Sequence, residues 1–196
     1  PGGFNKPIVF SNVTSTNQLD PVGTRHQLVD ANNFEIKLDQ VNHLSHLGHA
    51  DEDVSYLVIE EGKHELSDGK IFLAKSEGTK QHANYPGSNR SNNWSNDISL
   101  TDGNFTTTPI VLGQTQSYAG GDFIVTRIKD LSTTSFKYSL QEEEKYGAHT
   151  AHESFGWMAY SGGKSSSGGI QLEGQALSVT TTDKPETHNF LNSNYK

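Results

Sequence analysis

Apolar and polar residues alternate with a period of two in several short segments of this chain. Phe34–Leu38 and Phe136–Leu140 alternate, and Phe123–Ile128 is rich in β-branched residues. Val54–Ile59 and Phe155–Tyr160 are more continuously apolar, which is typical of buried strands. Because successive side chains of a strand point to opposite faces, the alternation predicts short β-strands. No segment shows the apolar spacing of an amphipathic helix.

These segments occur twice, about a hundred residues apart. The matches are Pro7–Phe10 with Pro109–Leu112, Asp20 with Asp122, Thr24-Arg25 with Thr126-Arg127, Phe34 with Phe136, Leu38 with Leu140 and, after a slip of one residue, Glu52 with Glu153, Tyr56 with Trp157 and Gly62 with Gly163. An internal repeat predicts two similarly folded units. Matched residues are therefore first of all scaffold, and function is expected where the repeats differ.

The second unit is preceded by a strand-rich leader from Ile71 to Ile98, whereas the first unit has none. A similar segment, Ile170–Gly174 followed by Val179 and Phe190, comes at the other end. We therefore expect an all-β fold of two tandem, pseudo-symmetric antiparallel β-sandwiches. Residues 1–62 plus 170–196 would form the first, permuted sandwich, completed by the C-terminal strands, and residues 63–169 the second. The tail could close within the chain or pair with the next molecule and build a fibre.

Composition narrows the class of protein. The chain has 196 residues, a net charge of −8 and no cysteine. The acidic charge argues against a nucleic-acid partner, and disulfides and thiolate metal sites are excluded. No apolar run reaches the roughly 20 residues that span a bilayer. Abundant Ser, Thr, Asn and Gly, with a start that looks processed, favour a secreted, extracellular or cell-surface protein.

The repeated unit resembles the H-type lectin domain, the six-stranded antiparallel sandwich of snail agglutinins, and related repeats of secreted bacterial proteins. The residues that carry the resemblance are Phe105, Pro109–Leu112, Thr126–Ile128, Leu131–Phe136 and Phe155–Met158, with a weaker version over Pro7–Gly62. The resemblance implies a six-stranded sandwich and calcium-independent sugar binding. It also implies trimers whose sites lie near subunit contacts.

A polar cluster precedes the last strand of each repeat. It contains His43, His46, His49, Asp51, Glu52 and Asp53 in the first repeat, and Glu142–Glu144, His149, His152 and Glu153 in the second. Three interpretations stay open. Glu52 and Glu153 could form structural ion pairs with Arg25 and Arg127 across the sheet. The cluster could contact a ligand. It could also hold zinc through imidazoles, or calcium through carboxylates, although no cofactor is required.

Aromatic residues in loops are candidates for sugar binding, because pyranose C–H faces pack on rings while hydroxyls find polar partners. Trp94, Tyr118 and Tyr146 lie in predicted loops, whereas Trp157 and Tyr56 lie mid-strand and suit the core. The full set of expected ligand contacts is Trp94, Tyr118, Asp122, Tyr146, His149, His152, Asp20, His46 and His49.

The sequence thus favours a non-catalytic, lectin-like module that binds a polysaccharide or glycan. The alternative is a structural adhesin repeat or fibre subunit that assembles by β-strand donation. The chain lacks a nucleophile elbow, a phosphate-binding loop and a dinucleotide fingerprint, so an enzyme is not expected.

Overall fold

The computed structural model describes residues 3–28, 30–41, 48–79, 94–121, 123–142, 151–179 and 187–191. Thirteen strands fall within them: β1 Pro7–Val13, β2 Val22–Leu28, β3 Phe34–Gln40, β4 Val54–Glu60, β5 Gly62–Glu65, β6 Ile71–Thr79, β7 Ile98–Ser99, β8 Ile110–Thr115, β9 Ile124–Lys129, β10 Ser135–Glu142, β11 Glu153–Tyr160, β12 Gly163–Ser167 and β13 Ile170–Gly174. A single 3-10 turn, Thr101–Gly103, is the helical element of this part of the chain.

All strand pairs are antiparallel. Two-stranded sheets are formed by β1-β4, β2-β3 and β12-β13. Larger sheets have the orders β7-β10-β9 and β5-β6-β11-β8. The predicted all-β antiparallel fold is confirmed. The segments Phe34–Leu38 and Phe136–Leu140, which the alternation marked as strands, lie in β3 and β10.

The two repeats pair their strands in the same register. Ile8 faces Ile59 across β1-β4, and the matching residues Ile110 and Tyr160 face each other across β8-β11. In the same way, Val22 faces Gln40 across β2-β3, and Ile124 faces Glu142 across β9-β10. We call β1–β4 the first repeat and β8–β11 the second repeat.

The main hydrophobic core lies in the second repeat and its leader. Its buried members are Leu73, Leu100, Phe105, Phe136, Tyr138, Phe155, Trp157 and Ala159. Leu73 comes from β6 in the leader, and Leu100 and Phe105 flank the 3-10 turn between the leader and β8, so three of these side chains precede β8. Inside the core, Phe136 meets Trp157 edge-on at 5.2 Å between ring centroids. Burial of large aromatic side chains stabilises this half of the molecule most.

The C-terminal strand forms a local hairpin, and the expectation that residues 170–196 complete the first repeat stays a prediction. β13 pairs with β12, which directly precedes it in the chain. Gly168 and Gly169, with φ of +60° and +82°, form the two-residue turn that joins them, and glycine takes this conformation without strain. Closing such a short loop costs little conformational entropy, so β12 readily pairs with one edge of β13. Residues 180–186 and 192–196 of the predicted tail lie outside the described residues.

Candidate functional site

In each repeat, the acidic residue before or at the start of the last strand closes the loop after the first strand. Glu52 accepts hydrogen bonds from Ser15 Oγ at 2.5 Å and from the backbone N–H groups of Asn17 and Gln18 at 2.9 and 3.0 Å. The same serine hydroxyl accepts a bond from Asp53 N at 2.7 Å. These donors favour the carboxylate, so the Ser15 hydroxyl and then the backbone donors lower the pKa of Glu52.

Glu153 repeats this arrangement at the matching positions. It accepts hydrogen bonds from Ser117 Oγ at 2.5 Å, Ala119 N at 3.0 Å and Gly120 N at 2.9 Å. Ser154 N donates to the Ser117 hydroxyl at 2.8 Å. The recurrence of glutamate in the sequence repeat therefore reflects a loop that each repeat closes with a carboxylate.

The second loop also receives an arginine from the first repeat. Arg25 Nη2 lies 2.7 Å from Glu153 Oε1, Arg25 Nη1 donates to Gly120 O at 3.0 Å, and Nη1 lies 3.6 Å from Asp39 Oδ2. Arg25 and Glu153 are both buried. A buried arginine that binds a carboxylate and carbonyl groups is held in one geometry by several partners.

This finding corrects the expected pairing within each repeat. Arg25 pairs with Glu153 of the other repeat rather than with Glu52. Arg127, which matches Arg25, is exposed on β9 and forms no ion pair among the described residues. The two arginines differ because of where their strands lie. Arg25 on β2 faces the second repeat, whereas Arg127 on β9 faces solvent. Arg25 thus joins the repeats across their boundary, which we call the seam.

Two glutamine side chains, Gln114 of β8 and Gln116 just after it, extend the seam. Gln116 accepts from Val9 N at 2.9 Å and donates to Val9 O at 2.8 Å. Gln114 accepts from Ser11 N at 2.8 Å and donates to Ser11 O at 3.2 Å. The two amides therefore satisfy the edge of β1 that β4 leaves open, as a neighbouring strand would. Gly156 makes room for this, because a Cβ there would lie 2.5 Å from Gln116 Nε2.

A polar pocket of about 410 Å³ opens beside the seam. We call it the seam pocket. Its walls are Lys37, Leu38, Asp39, Gln40, Gly48, His49 and Gly121. Lys37 Nζ lies 3.2 Å from Asp39 Oδ1, so Lys37, Asp39, Arg25 and Glu153 form a chain of alternating charges. Asp39 Oδ2 and Gln40 Nε2 are shielded from solvent and make no hydrogen bond to the described residues.

Tyr118 contacts Lys37, one of the residues that line this pocket. Its hydroxyl donates to Glu35 Oε2 at 2.9 Å, and Lys37 Nζ lies 5.2 Å from its ring centroid. The bond to Glu35 raises the pKa of Tyr118. Gln27, and then Tyr118, lower the pKa of Glu35 by donating hydrogen bonds to it. A predicted sugar-binding aromatic is thereby positioned next to a lysine that lines the pocket.

His49 also lines the pocket, and its ring contacts the backbone of Asp20. Its Nδ1 is 2.8 Å from Ala50 O, its Nε2 is 3.2 Å from Asp20 O, and Nδ1 is 3.9 Å from Glu52 Oε1. Two carbonyl acceptors favour the imidazolium, so the bond to Ala50 raises the pKa of His49, and Asp20 and Glu52 add to the effect. Gln18 Nε2 holds the Asp20 carboxylate at 2.5 Å.

The other predicted contacts are not brought to this pocket. Trp94 is half-buried and lies 4.6 Å from Lys129 Nζ, and neither residue lines the pocket. His152 is exposed beside Glu153. Asp122, Tyr146, His149 and His46 lie outside the described residues. Within the described ranges, no three His, Asp or Glu side chains are grouped closely enough to hold a metal ion.

The sequence did not single out Lys37, Asp39 and Gln40. They stand on β3, where alternation marks them only as part of a strand. Polar residues on a strand face usually contact solvent, so their presence on β3 did not indicate a functional site. Comparison of the two repeats could have identified them, because function is expected where the repeats differ. Lys37 and Gln40 match the different residues Ser139 and Glu142.

Comparison with known proteins gives no relative on which to base a function: no family model, curated protein or solved structure matches this chain. In the part of the chain that the structure describes, no helix has the length and hydrophobicity to cross a bilayer.

Proposed function

We propose that this chain is a non-catalytic, carbohydrate-binding module, secreted or displayed at the cell surface, that binds a polysaccharide or glycan in the seam pocket. The observation that carries the proposal is the wall of that pocket. Lys37 Nζ and the Asp39 carboxylate, 3.2 Å apart, provide a charged donor and a charged acceptor in that wall. Hydrogen bonds between ligand hydroxyls and charged groups contribute about 1.5–3 kcal/mol each.

The surroundings of the pocket favour this class of ligand. Tyr118 presents a ring beside Lys37, and His49 adds an imidazole to the lining of the pocket. A sugar combines apolar C–H faces with hydroxyl groups, and a few converging polar groups with an aromatic ring suit both. The resemblance to the H-type lectin domain supports the same ligand class.

The charges suggest which glycans bind best. Lys37 and Arg25 are balanced by Asp39 and Glu153 within the same chain of contacts. A pocket whose charges cancel favours neutral, hydroxyl-rich sugars over uronate polymers, because a carboxylate would compete with Asp39 for Lys37. Galactans should therefore bind more tightly than alginate.

Calorimetry with galactans, amino sugars and alginate, guided by a glycan array, tests the proposal. Lys37→Ala should weaken binding about tenfold, because it removes a charged donor from the pocket wall. Lys129→Ala, a matched loss of charge beside Trp94, should leave binding unchanged. If Trp94→Ala abolishes binding and Lys37→Ala does not, the seam pocket is the wrong site. If no glycan binds the intact chain at millimolar concentration, the proposed function is wrong.

A further inference from the structure

The core of the first repeat is exposed at positions where the core of the second repeat is closed. Tyr56 and Leu57 of β4 are 63% and 56% exposed, whereas Trp157, which matches Tyr56, is fully buried. Beneath Tyr56 lies an apolar pocket of about 130 Å³, lined in part by Phe34 and Val58. In the second repeat, β6 covers the outer edge of the equivalent strand, β11. Among the described residues, no strand covers that edge of β4.

The outer edge of β4 also carries hydrogen-bonding groups that β1 does not use. Across the β1-β4 ladder, Val9 faces Val58 and Ser11 faces Tyr56. The N–H and C=O groups of Val9 and Ser11 bond to the two glutamine amides of the seam, on the far side of β1. Residues that face each other in an antiparallel ladder either exchange hydrogen bonds or both point away from the partner strand. The N–H and C=O groups of Tyr56 and Val58 therefore point outward, where no described strand pairs with them.

The sequence of β4 lacks the features that usually keep free sheet edges apart. Such edges carry a charge, a proline or a bulge. From Val54 to Ile59 the strand has no charged residue and no proline, and its pairing with β1 is regular over all seven residues of β4. An apolar, regular edge with outward hydrogen-bonding groups is a surface that pairs with another strand.

We propose that β4 pairs with β4 of a second molecule, antiparallel and about a two-fold axis centred on Leu57, so that this chain forms a dimer. The axis places Leu57 opposite its own copy. It also places Tyr56 opposite Val58 of the other molecule, which pairs the outward N–H and C=O groups of both residues. The whole strand is then paired, and its one charged residue, Glu60, faces Val54 rather than a like charge. Because the same surface is used on both molecules, the contact closes after two of them.

A second copy of this chain is the occupant that the side chains favour. Tyr56 and Val58 are two residues apart, so they point to the same face of β4, and both line the apolar pocket. In the dimer each Tyr56 ring lies over the pocket of the other molecule, and the two pockets join into one apolar cluster. An aromatic residue opposite a β-branched residue is a favourable cross-strand pair. On the other face, Leu57 packs against its copy.

The size of the contact predicts a modest affinity. A standard interface buries about 800 Å² on each partner. The exposed parts of Phe4, Tyr56 and Leu57 supply roughly half of that area, and the strand backbone adds to it. We therefore expect a dimer that dissociates on dilution. The residues that line the seam pocket lie outside β4, so this proposal and the proposed function are tested separately.

Single cysteines test the register, in a chain that has no cysteine of its own. Leu57→Cys places two thiols opposite each other at a pair without hydrogen bonds, where the Cα atoms are about 4.5 Å apart and suit a disulfide. Under mild oxidation, non-reducing gels should show a covalent dimer and nothing larger. Ser55→Cys is the matched control on the same face of the strand, because the two copies of residue 55 lie about 13 Å apart in this register. Equal cross-linking of both variants overturns the register.

Sedimentation velocity of the unmodified chain between about 1 μM and 1 mM measures the association itself and should show monomers and dimers in equilibrium. Tyr56→Lys places a charge on the pairing edge and should weaken the association at least about tenfold. Leu19→Lys, at an exposed loop position, is the control and should leave it unchanged. A chain that stays monomeric up to about 1 mM overturns the proposal, as do trimers or open-ended assemblies.

Amide exchange followed by NMR distinguishes pairing through β4 from a dimer formed elsewhere. The outward N–H of Val58 should exchange quickly in dilute solution, and at least about fivefold more slowly where dimers predominate. The N–H of Leu57 points to β1 and should be protected at both concentrations. A dimer in which the exchange of Val58 does not depend on concentration overturns the pairing.

Discussion

Tyr56 and Trp157 occupy matching positions in two strands that share a register, yet their surroundings are opposite. Trp157 is fully buried, whereas Tyr56 is mostly exposed. Each still meets a matching phenylalanine edge-on: Phe34 lies 5.0 Å from Tyr56, and Phe136 lies 5.2 Å from Trp157. The local pairing is therefore the same in both repeats. The difference comes from the segment before β8, which supplies β6, Leu100 and Phe105 to the core of the second repeat.

A second contrast concerns the residues that join the repeats. Arg25 is buried against Glu153, whereas its counterpart Arg127 is exposed. Glu52 and Glu153 close similar loops, but only Glu153 also binds an arginine among the described residues. The same residue types thus have different roles in the two repeats. Duplication supplied the loop, and the position of each repeat in the molecule decided which residues are buried.

The largest expected effect concerns the two aromatic residues. Trp157→Ala should lower the free energy of unfolding by about 3–5 kcal/mol, because it leaves a large cavity in the core. Tyr56→Ala should lower it by about 1 kcal/mol or less, because most of that side chain is already in water. Urea unfolding of both variants measures the difference. Equal losses would contradict the exposed position of Tyr56.

Replacing Glu153 of the second repeat should also destabilise the protein more than replacing Glu52 of the first repeat. Glu153→Gln should lower the free energy of unfolding by about 3 kcal/mol, because Arg25 loses its closest buried counter-charge. Glu52→Gln should cost less, since Gln retains acceptors for the loop donors and no arginine is left unpaired. Thermal unfolding followed by circular dichroism compares them. Glu153→Gln combined with Arg25→Met should recover part of the loss, and failure to do so would argue against a paired role.

The smallest expected effect is a pH dependence confined to the first repeat. Burial lowers the pKa of His26 to about 4, and Ile128 takes the matching position in the second repeat. Between about pH 6.5 and 4 the unfolded chain binds a proton at His26 that the folded chain does not. The free energy of unfolding should therefore fall on acidification through this window, by about 2 kcal/mol at pH 5.

The effect is checked by comparing how the free energy of unfolding depends on pH in variants and in the unmodified chain. His26→Ile, which copies the residue of the second repeat, should remove the His26 contribution, and Ser11 keeps its bond to Thr24 Oγ1 at 2.9 Å. His152→Ala, at an exposed position, should leave the profile unchanged. A His26→Ile profile parallel to that of the unmodified chain across the same pH window would contradict the prediction.

Much of the strand arrangement could be predicted from the sequence, because period-two alternation is a local property. Phe34–Leu38 and Phe155–Tyr160 lie in strands, and the repeat offset carries over to the pairing registers. The candidate site was harder to predict from the sequence. Of the expected contacts, His49 lines the seam pocket, and Tyr118 and Asp20 contact its lining residues. Lys37, Asp39 and Gln40 of the pocket wall were not anticipated.

By itself, the sequence determined that this protein is built from short antiparallel strands used twice, because alternation and duplication are written directly in residue order. Only the tertiary structure decided that Arg25 crosses to Glu153, that Gln114 and Gln116 cover the edge of β1, and that β13 pairs with β12. Some of these contacts join residues that are far apart in the chain. In the others, a residue or strand had two possible partners of similar sequence. Residue spacing cannot make that choice, because it depends on which surfaces meet once the strands have paired.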